Sequence, residues 1–124
     1  MESLTIIYNI HSTHLKYLFQ LRSGLSPLKA HKYRHNFKDT PNASCLCSTG
    51  AETTTHFLLL CPLLKTHREK LMKTIEPFTA NLDLNSPQIN ELLLYGLQSL
   101  KDTENKAILE ASLQFIADTG RFQP

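Results

Sequence analysis

The chain has 124 residues, of which 41% are hydrophobic and 19% charged, and its formal net charge is +2. This size predicts one domain, residues 1–124, with a single small core. The sequence contains no run of about 18 apolar residues, which excludes a membrane-spanning helix, and its start lacks the pattern of a secretory signal. We therefore expect an intracellular protein of the cytoplasm or nucleus, neither secreted nor bound to a membrane.

The charge is unevenly distributed along the chain. Residues 1–50 hold six basic and two acidic residues, a net charge of +4, whereas residues 51–124 hold seven basic and nine acidic residues, a net charge of −2. A basic N-terminal half indicates weakly that this half contacts a polyanion.

Two short helices are predicted in the basic helical part of the domain, which ends at position 38. Ser12 or Thr13 can cap the first helix, whose apolar residues repeat at helical spacing until Gly24 stops it. Ser26 and Pro27 then begin a second, strongly basic helix, because proline is well tolerated at the first helical position.

The next segment, residues 39–62, is predicted to be the zinc-binding segment. Loop-forming residues dominate it as far as Thr54. The stretch "TTTHFLLLC" fits either a strand or a short helix capped by Thr53, and we favour the helix.

Three further helices are predicted in residues 63–124. Pro62 begins the first, which runs up to Pro77, and Ser86-Pro87 begins the second. Asp102 or Thr103 caps the third, which ends near Gly120. The apolar stripes expected to form the core lie at positions 63–75, 89–97 and 108–116.

The predicted fold is therefore all-α. We expect five or six short helices around one core, with a zinc-knuckle-like loop inserted between the second helix and the main helix that follows Pro62.

All three cysteines of the chain lie close to one histidine, in the spacing C-x-C-x8-H-x4-C. Zinc is usually held by four Cys or His ligands in a tetrahedron, so this spacing predicts a zinc site formed by Cys45, Cys47, His56 and Cys61. An odd number of cysteines in an intracellular chain argues against disulfides. The alternative is that the cysteines are incidental or simply buried beside a surface histidine and bind no metal.

The spacing of His56 and Cys61 needs an explanation. On a continuous α-helix, two residues five apart differ by about 7.5 Å in rise and about 140° in angle, too far for one ion. Pro62 disfavours the α conformation at Cys61, so we expect the helix to end near Leu60 and Cys61 to turn back. Gly50 is expected to let the loop fold toward His56. The least favourable feature of the predicted zinc site is the single residue between Cys45 and Cys47, because zinc ligand pairs are commonly separated by two to four residues.

Two other assignments are open. His35 or His67 could replace a missing ligand, although each lies on a predicted helix that explains it. An enzymatic zinc site would need an open coordination position and a nearby base, for which Glu52 is the sole nearby acid. Four protein ligands leave no open position, so we predict a closed, structural site with no catalytic residues and no small-molecule substrate.

The stretch "KAHKYRHNFK" interleaves cations with aromatic rings, as nucleic-acid-binding segments often do. An ordinary solvated helix face with two core aromatics explains the pattern equally well. The candidate residues for binding RNA or single-stranded DNA are Arg22, Lys29, Lys32, Arg34, His35 and Lys38.

Several motifs together resemble the C-terminal zinc-binding (CCHC) region that follows the polymerase domain in reverse transcriptases of non-LTR retrotransposons. The similar stretches are "FQLRSGLSPLKAHKYRHNFKDTP", "CLC" and "ETTTHFLLLCPLLKTHRE", and the similarity covers about residues 10 to 123. The matching positions are Leu21, Arg22, Gly24, Pro27, Cys45, Cys47, Glu52, Thr53, His56, Cys61, Pro62 and Arg68.

The resemblance implies zinc at the four Cys and His positions. It also implies binding of template RNA or target DNA during target-primed reverse transcription. The chain has no Tyr-x-Asp-Asp polymerase motif, so we expect a detached, non-catalytic tail or remnant of such a polyprotein. The alternative function is a zinc-stabilised protein-interaction module that docks a partner, in the family case the polymerase domain.

Overall fold

The computed structural model describes residues 13–123, and over this range the fold is all-α, as predicted. A π-helical turn and a 3-10 turn lie between the second and third helices, and the described residues form no sheet, only an isolated bridge between Ser44 and Ala51. The elements are α1 (Leu15–Ser23), α2 (Lys29–Arg34), the π-helical turn (His56–Leu60), the 3-10 turn (Pro62–Leu64), α3 (Lys65–Thr79), α4 (Ser86–Tyr95) and α5 (Asp102–Thr119).

Helix α5 lies at the centre of the helical core, which we define as α1, α3, α4 and α5. It packs against all three of the other helices. Leucine and isoleucine side chains at helical spacing fill the interfaces, which explains why an apolar stripe predicted these helices correctly. The most deeply buried core residues include Leu18, Leu92, Leu93, Ile108, Leu109 and Ile116.

The first two helices meet at a close contact between Gly24 and Arg34. Gly24 ends α1 with φ 73° in the left-handed region, and its Cα lies against the end of the Arg34 side chain. The Arg34 guanidinium donates a hydrogen bond to the Gly24 carbonyl at 3.2 Å. Glycine is therefore favoured at this position by its left-handed conformation.

Several helix starts differ from the prediction. Helix α2 begins at Lys29, with Leu28 as its N-cap, two residues after the predicted first helical position at Pro27. Asn85, rather than Ser86, caps α4, because its Oδ1 accepts the Gln88 N–H at 2.9 Å. Lys101 precedes α5 and donates its backbone N–H to Glu104 Oε1 at 3.0 Å, so Asp102 is the first helical residue rather than the cap.

Three other expectations need correction or lie outside the described range. Thr13 makes no capping bond to α1, whose N-cap is His14, and Ser12 lies outside the described residues. Helix α3 continues through Pro77 to Thr79 instead of ending at the proline. Leu63, assigned to the core stripe, is exposed, because the 3-10 turn offsets it from the buried face of α3.

The metal segment, residues 39–62, joins the helical core at its C-terminal end. Phe57 and Leu58 are fully buried, and the Phe57 ring lies 5.3 Å from Phe115 of α5 and 5.4 Å from Phe122, centroid to centroid. The core thus fixes one end of the segment. Within residues 13–123, no helix is both long and apolar enough to cross a membrane.

Candidate metal centre

The loop that carries Cys45 and Cys47 is folded back on itself. The Cys45 N–H donates to the Gly50 carbonyl at 2.8 Å, and the Ser48 N–H donates to the Cys45 carbonyl at 3.0 Å. The tight turn uses a positive φ of 64° at Ser48. This turn orders both cysteines even though one residue separates them.

The π-helical turn positions His56 and Cys61. It begins where the Thr53 hydroxyl oxygen accepts the His56 N–H at 3.1 Å, which agrees with the predicted helix and its Thr53 cap. A π-helix bonds residue i to residue i+5, and here the Cys61 N–H donates to the His56 carbonyl at 2.8 Å. The wider winding brings the two side chains to the same side, and Cys61 then leaves the helix in an extended conformation, with ψ 120°, before Pro62.

The four predicted ligand side chains meet at one point. Their ligand atoms all lie within 4.8 Å of one another. Cys45 Sγ lies 3.8 Å from Cys61 Sγ, and Cys47 Sγ lies 3.2 Å from His56 Nε2. In a tetrahedral zinc site, sulfur ligands at about 2.3 Å from the ion are about 3.8 Å apart, and a sulfur and a nitrogen about 3.6 Å apart. The cluster therefore has the dimensions of a site that could hold a metal ion.

The cysteines lie in different environments. Cys45 and Cys61 are buried, and burial raises the pKa of Cys45 to about 11. Cys47 is only partly buried, and the Thr49 hydroxyl, 3.0 Å from its sulfur, is the main cause that lowers the pKa of Cys47 to about 6. The pKa values of the two cysteines are thus shifted in opposite directions, and a bound cation would favour the thiolate at both.

Arg68 stabilises the end of the π-helical turn. Its guanidinium donates to the carbonyls of Leu58 at 2.9 Å, Cys61 at 2.8 Å and Phe57 at 3.2 Å. These carbonyls lie where the π-helical turn ends and backbone carbonyls lose their helical partners, although the Cys61 carbonyl also accepts the Leu64 N–H at 3.2 Å. The spacing of ligands did not identify this role, although Arg68 is one of the positions that carry the family resemblance.

Glu52 is a structural residue beside the centre. Its carboxylate accepts two hydrogen bonds from Arg121, at 2.8 and 2.6 Å, and one from the Lys29 N–H at 2.7 Å. Burial acts to raise the pKa of Glu52, but the bonds from Arg121 and Lys29 outweigh it, so the pKa lies below its ordinary value. This pair, which we call the Glu52–Arg121 clasp, joins the metal segment to α2 and to the C-terminal residues.

The buried histidine beside the metal segment is His31, which sequence reasoning missed. Its Nδ1 lies 2.6 Å from the Ser26 hydroxyl and its Nε2 lies 3.2 Å from the Thr54 hydroxyl. Burial and, to a smaller extent, Arg34 lower the pKa of His31, which keeps the ring neutral. The alternative ligands are elsewhere: His35 is exposed, and His67 lines a groove between α3 and α5.

The candidate nucleic-acid-binding residues divide into two groups. Three of them contact the protein itself: Arg22 donates to the Leu94 carbonyl at 2.7 Å, Arg34 to Gly24, and Lys32 pairs with Asp39 at 2.7 Å. Arg22 also lies 4.7 Å from the centroid of the Tyr95 ring. The side chains of the other group lie on or just after α2 and are partly or fully exposed: Lys29, His35 and Lys38.

No protein-family model, curated protein or solved structure matches the chain. The resemblance to the retrotransposon reverse transcriptases therefore depends on the motif residues alone. What the fold and the site define is an all-α protein with a Cys3His cluster that could hold one metal ion.

Proposed function

We propose that this chain is a non-catalytic module stabilised by one zinc ion. The observation that carries the proposal is the convergence of three cysteine sulfurs and one histidine nitrogen within 4.8 Å. Three thiolates and one imidazole form a ligand set typical of structural zinc, and they complete a tetrahedron without a water molecule. A closed tetrahedron leaves no position for a substrate.

The surroundings of the site support a structural role. Glu52, the acid nearest in sequence to the cluster, is occupied by Arg121 and Lys29 and is not available as a general base. The zinc would join the loop at Cys45 and Cys47 to the π-helical turn, whose Phe57 is packed in the core. It would thus order a loop that buries little apolar surface of its own.

Zinc titration tests this proposal. The purified chain should bind one zinc ion per molecule, and Cys61→Ser should lose that ion. Leu60→Ala, which changes the neighbouring exposed side chain, is the matched control and should bind zinc like the unmodified chain. Equal zinc binding by the Cys61 variant would show that the cluster is not the site.

We further propose that the module binds single-stranded nucleic acid through the exposed face at and after α2. Tyr33 and Phe37 are 51% and 53% exposed, and His35 and Lys38 lie exposed in the same stretch. Exposed rings stack on unpaired bases, and neighbouring cations contact phosphates. This observation favours a binding face over the alternative in which the two aromatic residues belong to the core. It also agrees with the resemblance to a reverse transcriptase C-terminal region.

A second candidate function is protein docking, because three exposed leucines lie next to the metal ligands in sequence. Leu46 is 79% exposed between Cys45 and Cys47, and Leu60 and Leu63 are 61% and 64% exposed on either side of Cys61 and Pro62. Exposed apolar side chains of this kind occur at protein interfaces. In the resembled family, the partner would be the polymerase domain.

One pair of variants separates the two functions. Tyr33→Ala with Phe37→Ala should weaken binding to a single-stranded poly-uridine RNA by about 1–3 kcal/mol per lost stacking contact, while Leu46→Ala with Leu63→Ala should not. Binding should also weaken with log[salt], at a slope of about −0.7 for each phosphate contact. RNA affinity lost only in the leucine variant, or insensitive to salt, would favour docking instead.

A further inference from the structure

The three cysteines of the centre differ in their access to solvent. Cys45 and Cys61 are 6% and 3% exposed, whereas Cys47 is partly exposed and is followed by the exposed residues Ser48 and Thr49. A small oxidant in solution therefore meets the Cys47 sulfur first. Both buried sulfurs lie within 4.8 Å of it. An accessible cysteine sulfur beside a second cysteine is the arrangement in which cysteine oxidation proceeds to a disulfide.

We propose that Cys47 is a peroxide-reactive site and that its oxidation, completed by one of the two buried cysteines, releases the metal. The inference rests on the proposed zinc function, since the released ion is the proposed zinc. It adds a covalent modification that controls whether the metal segment stays folded.

The first step oxidises Cys47 with a hydroperoxide, ROOH, as the oxidant. The Cys47 thiolate attacks the terminal oxygen, so a sulfur–oxygen bond forms while the oxygen–oxygen bond breaks. The attacked oxygen keeps its hydrogen, which gives the sulfenic acid, and the alkoxide RO⁻ leaves and takes a proton from water to become ROH. Sulfur is oxidised and the peroxide is reduced.

The second step joins Cys47 to Cys45 or Cys61. A neighbouring thiolate attacks the Cys47 sulfur, a sulfur–sulfur bond forms, and hydroxide leaves. The sulfurs must approach from within 4.8 Å to about 2 Å. The loop of Cys47 can supply this shift, because its neighbours Leu46 and Ser48 are exposed.

Release of the metal follows from the loss of ligands. A disulfide removes two of the four donors at once, because zinc binds thiolates and not disulfides. His56 and one cysteine would remain, too few for a stable structural site. A dithiol reductant reverses the change by exchange, which makes the modification a reversible switch.

The test follows zinc and sulfur in the same sample of the full chain loaded with zinc. Hydrogen peroxide should release one zinc ion per disulfide, as read by a chromogenic chelator and by mass spectrometry, and dithiothreitol with added zinc should restore the bound metal. A 1,3-dione that traps sulfenic acid should label Cys47 before either buried cysteine. If the chain bound no zinc before peroxide was added, the zinc proposal itself would be contradicted. Zinc retained through peroxide, or earlier labelling of Cys45 or Cys61, would overturn the oxidation inference alone.

Cys47→His gives the matched variant, because it keeps a zinc donor and removes the accessible sulfur. Its zinc release in peroxide should be about tenfold slower or more, since its remaining thiols are buried. Release at the unmodified rate would mean that a buried cysteine reacts first and would contradict the inference. If the substitution weakens zinc binding, the labelling order in the unmodified chain decides the question.

Discussion

The metal segment and the helical core are stabilised in different ways. Helices α3, α4 and α5 bury rows of leucine and isoleucine against one another. The metal segment buries large apolar side chains only at its end, at Phe57 and Leu58, and exposes Leu46 and Leu60. Apolar burial can fold the core without a ligand. The loop of Cys45 and Cys47 buries little apolar surface, so under the proposed zinc function the two regions should respond separately to metal removal.

Metal removal should give the largest difference between the two regions. Structural zinc contributes on the order of 10 kcal/mol to small modules, so a chelator should unfold the loop while the core helices remain. Amide hydrogen exchange should show lost protection at Cys45, Ser48 and Cys61 and retained protection in α5. Equal loss of protection in α5 would show that the chain folds as one unit through its metal.

Phe57→Ala should weaken the packing of the metal segment against the helical core. Phe57 is fully buried against Phe115 and Phe122, and removing such a ring costs about 3–5 kcal/mol in the free energy of unfolding. Denaturant unfolding measures this loss. Leu60→Ala is the control and should change stability by less than about 0.5 kcal/mol, because the side chain is exposed. Similar losses in both variants would mean that Phe57 does not anchor the segment.

Glu52→Gln should break the clasp and remove part of the pH dependence of stability. We expect a loss of about 2–3 kcal/mol, less than for a fully buried pair because Arg121 is partly exposed. Since the folded pKa of Glu52 lies below its ordinary value of 4.5, its contribution is complete above pH 4.5 and is lost as pH falls through the folded pKa.

The control for the clasp is a double-mutant cycle with Arg121→Gln. The two substitutions should be far from additive, because each removes the same ion pair. The stability difference between the unmodified chain and Glu52→Gln should shrink only below pH 4.5. Additive effects, or a difference that is the same at every pH, would argue against the clasp.

Thr53→Ala should have the smallest effect. It removes the hydroxyl that accepts the His56 N–H, and the loss of such a cap costs about 1 kcal/mol. Thr55→Ala removes a neighbouring hydroxyl and serves as the control. Zinc affinity should fall slightly in the Thr53 variant alone, whereas equal affinities would show that the π-helical turn does not need its cap.

Patterns among residues close in sequence predicted most of the fold and the four residues of the candidate site. The apolar stripes located α3, α4 and α5, and the density of cysteines selected Cys45, Cys47, His56 and Cys61. The helix starts were displaced by one residue at α4 and α5: Asn85 competes with Ser86 as a cap, and at α5 the Glu104 side chain accepts the Lys101 N–H instead of a cap being formed by Asp102 or Thr103.

Contacts that no sequence pattern relates account for what could not be predicted. Glu52 pairs with Arg121, 69 positions later, and no periodicity relates the two. Arg68 binds carbonyls of the π-helical turn because the fold brings α3 beside it. The π winding itself was also missed: Pro62 predicted that Cys61 leaves the helix, but the i to i+5 bond that aligns Cys61 with His56 has no sequence signal.

The coordination of the bound metal tests the central claim most directly. X-ray absorption on the purified, zinc-loaded chain should show three sulfur ligands at about 2.3 Å and one nitrogen at about 2.0–2.1 Å. That shell is the one formed by the Cys45, Cys47, His56 and Cys61 side chains. A shell of oxygen and nitrogen ligands, or zinc that washes out of the native chain, would contradict the account.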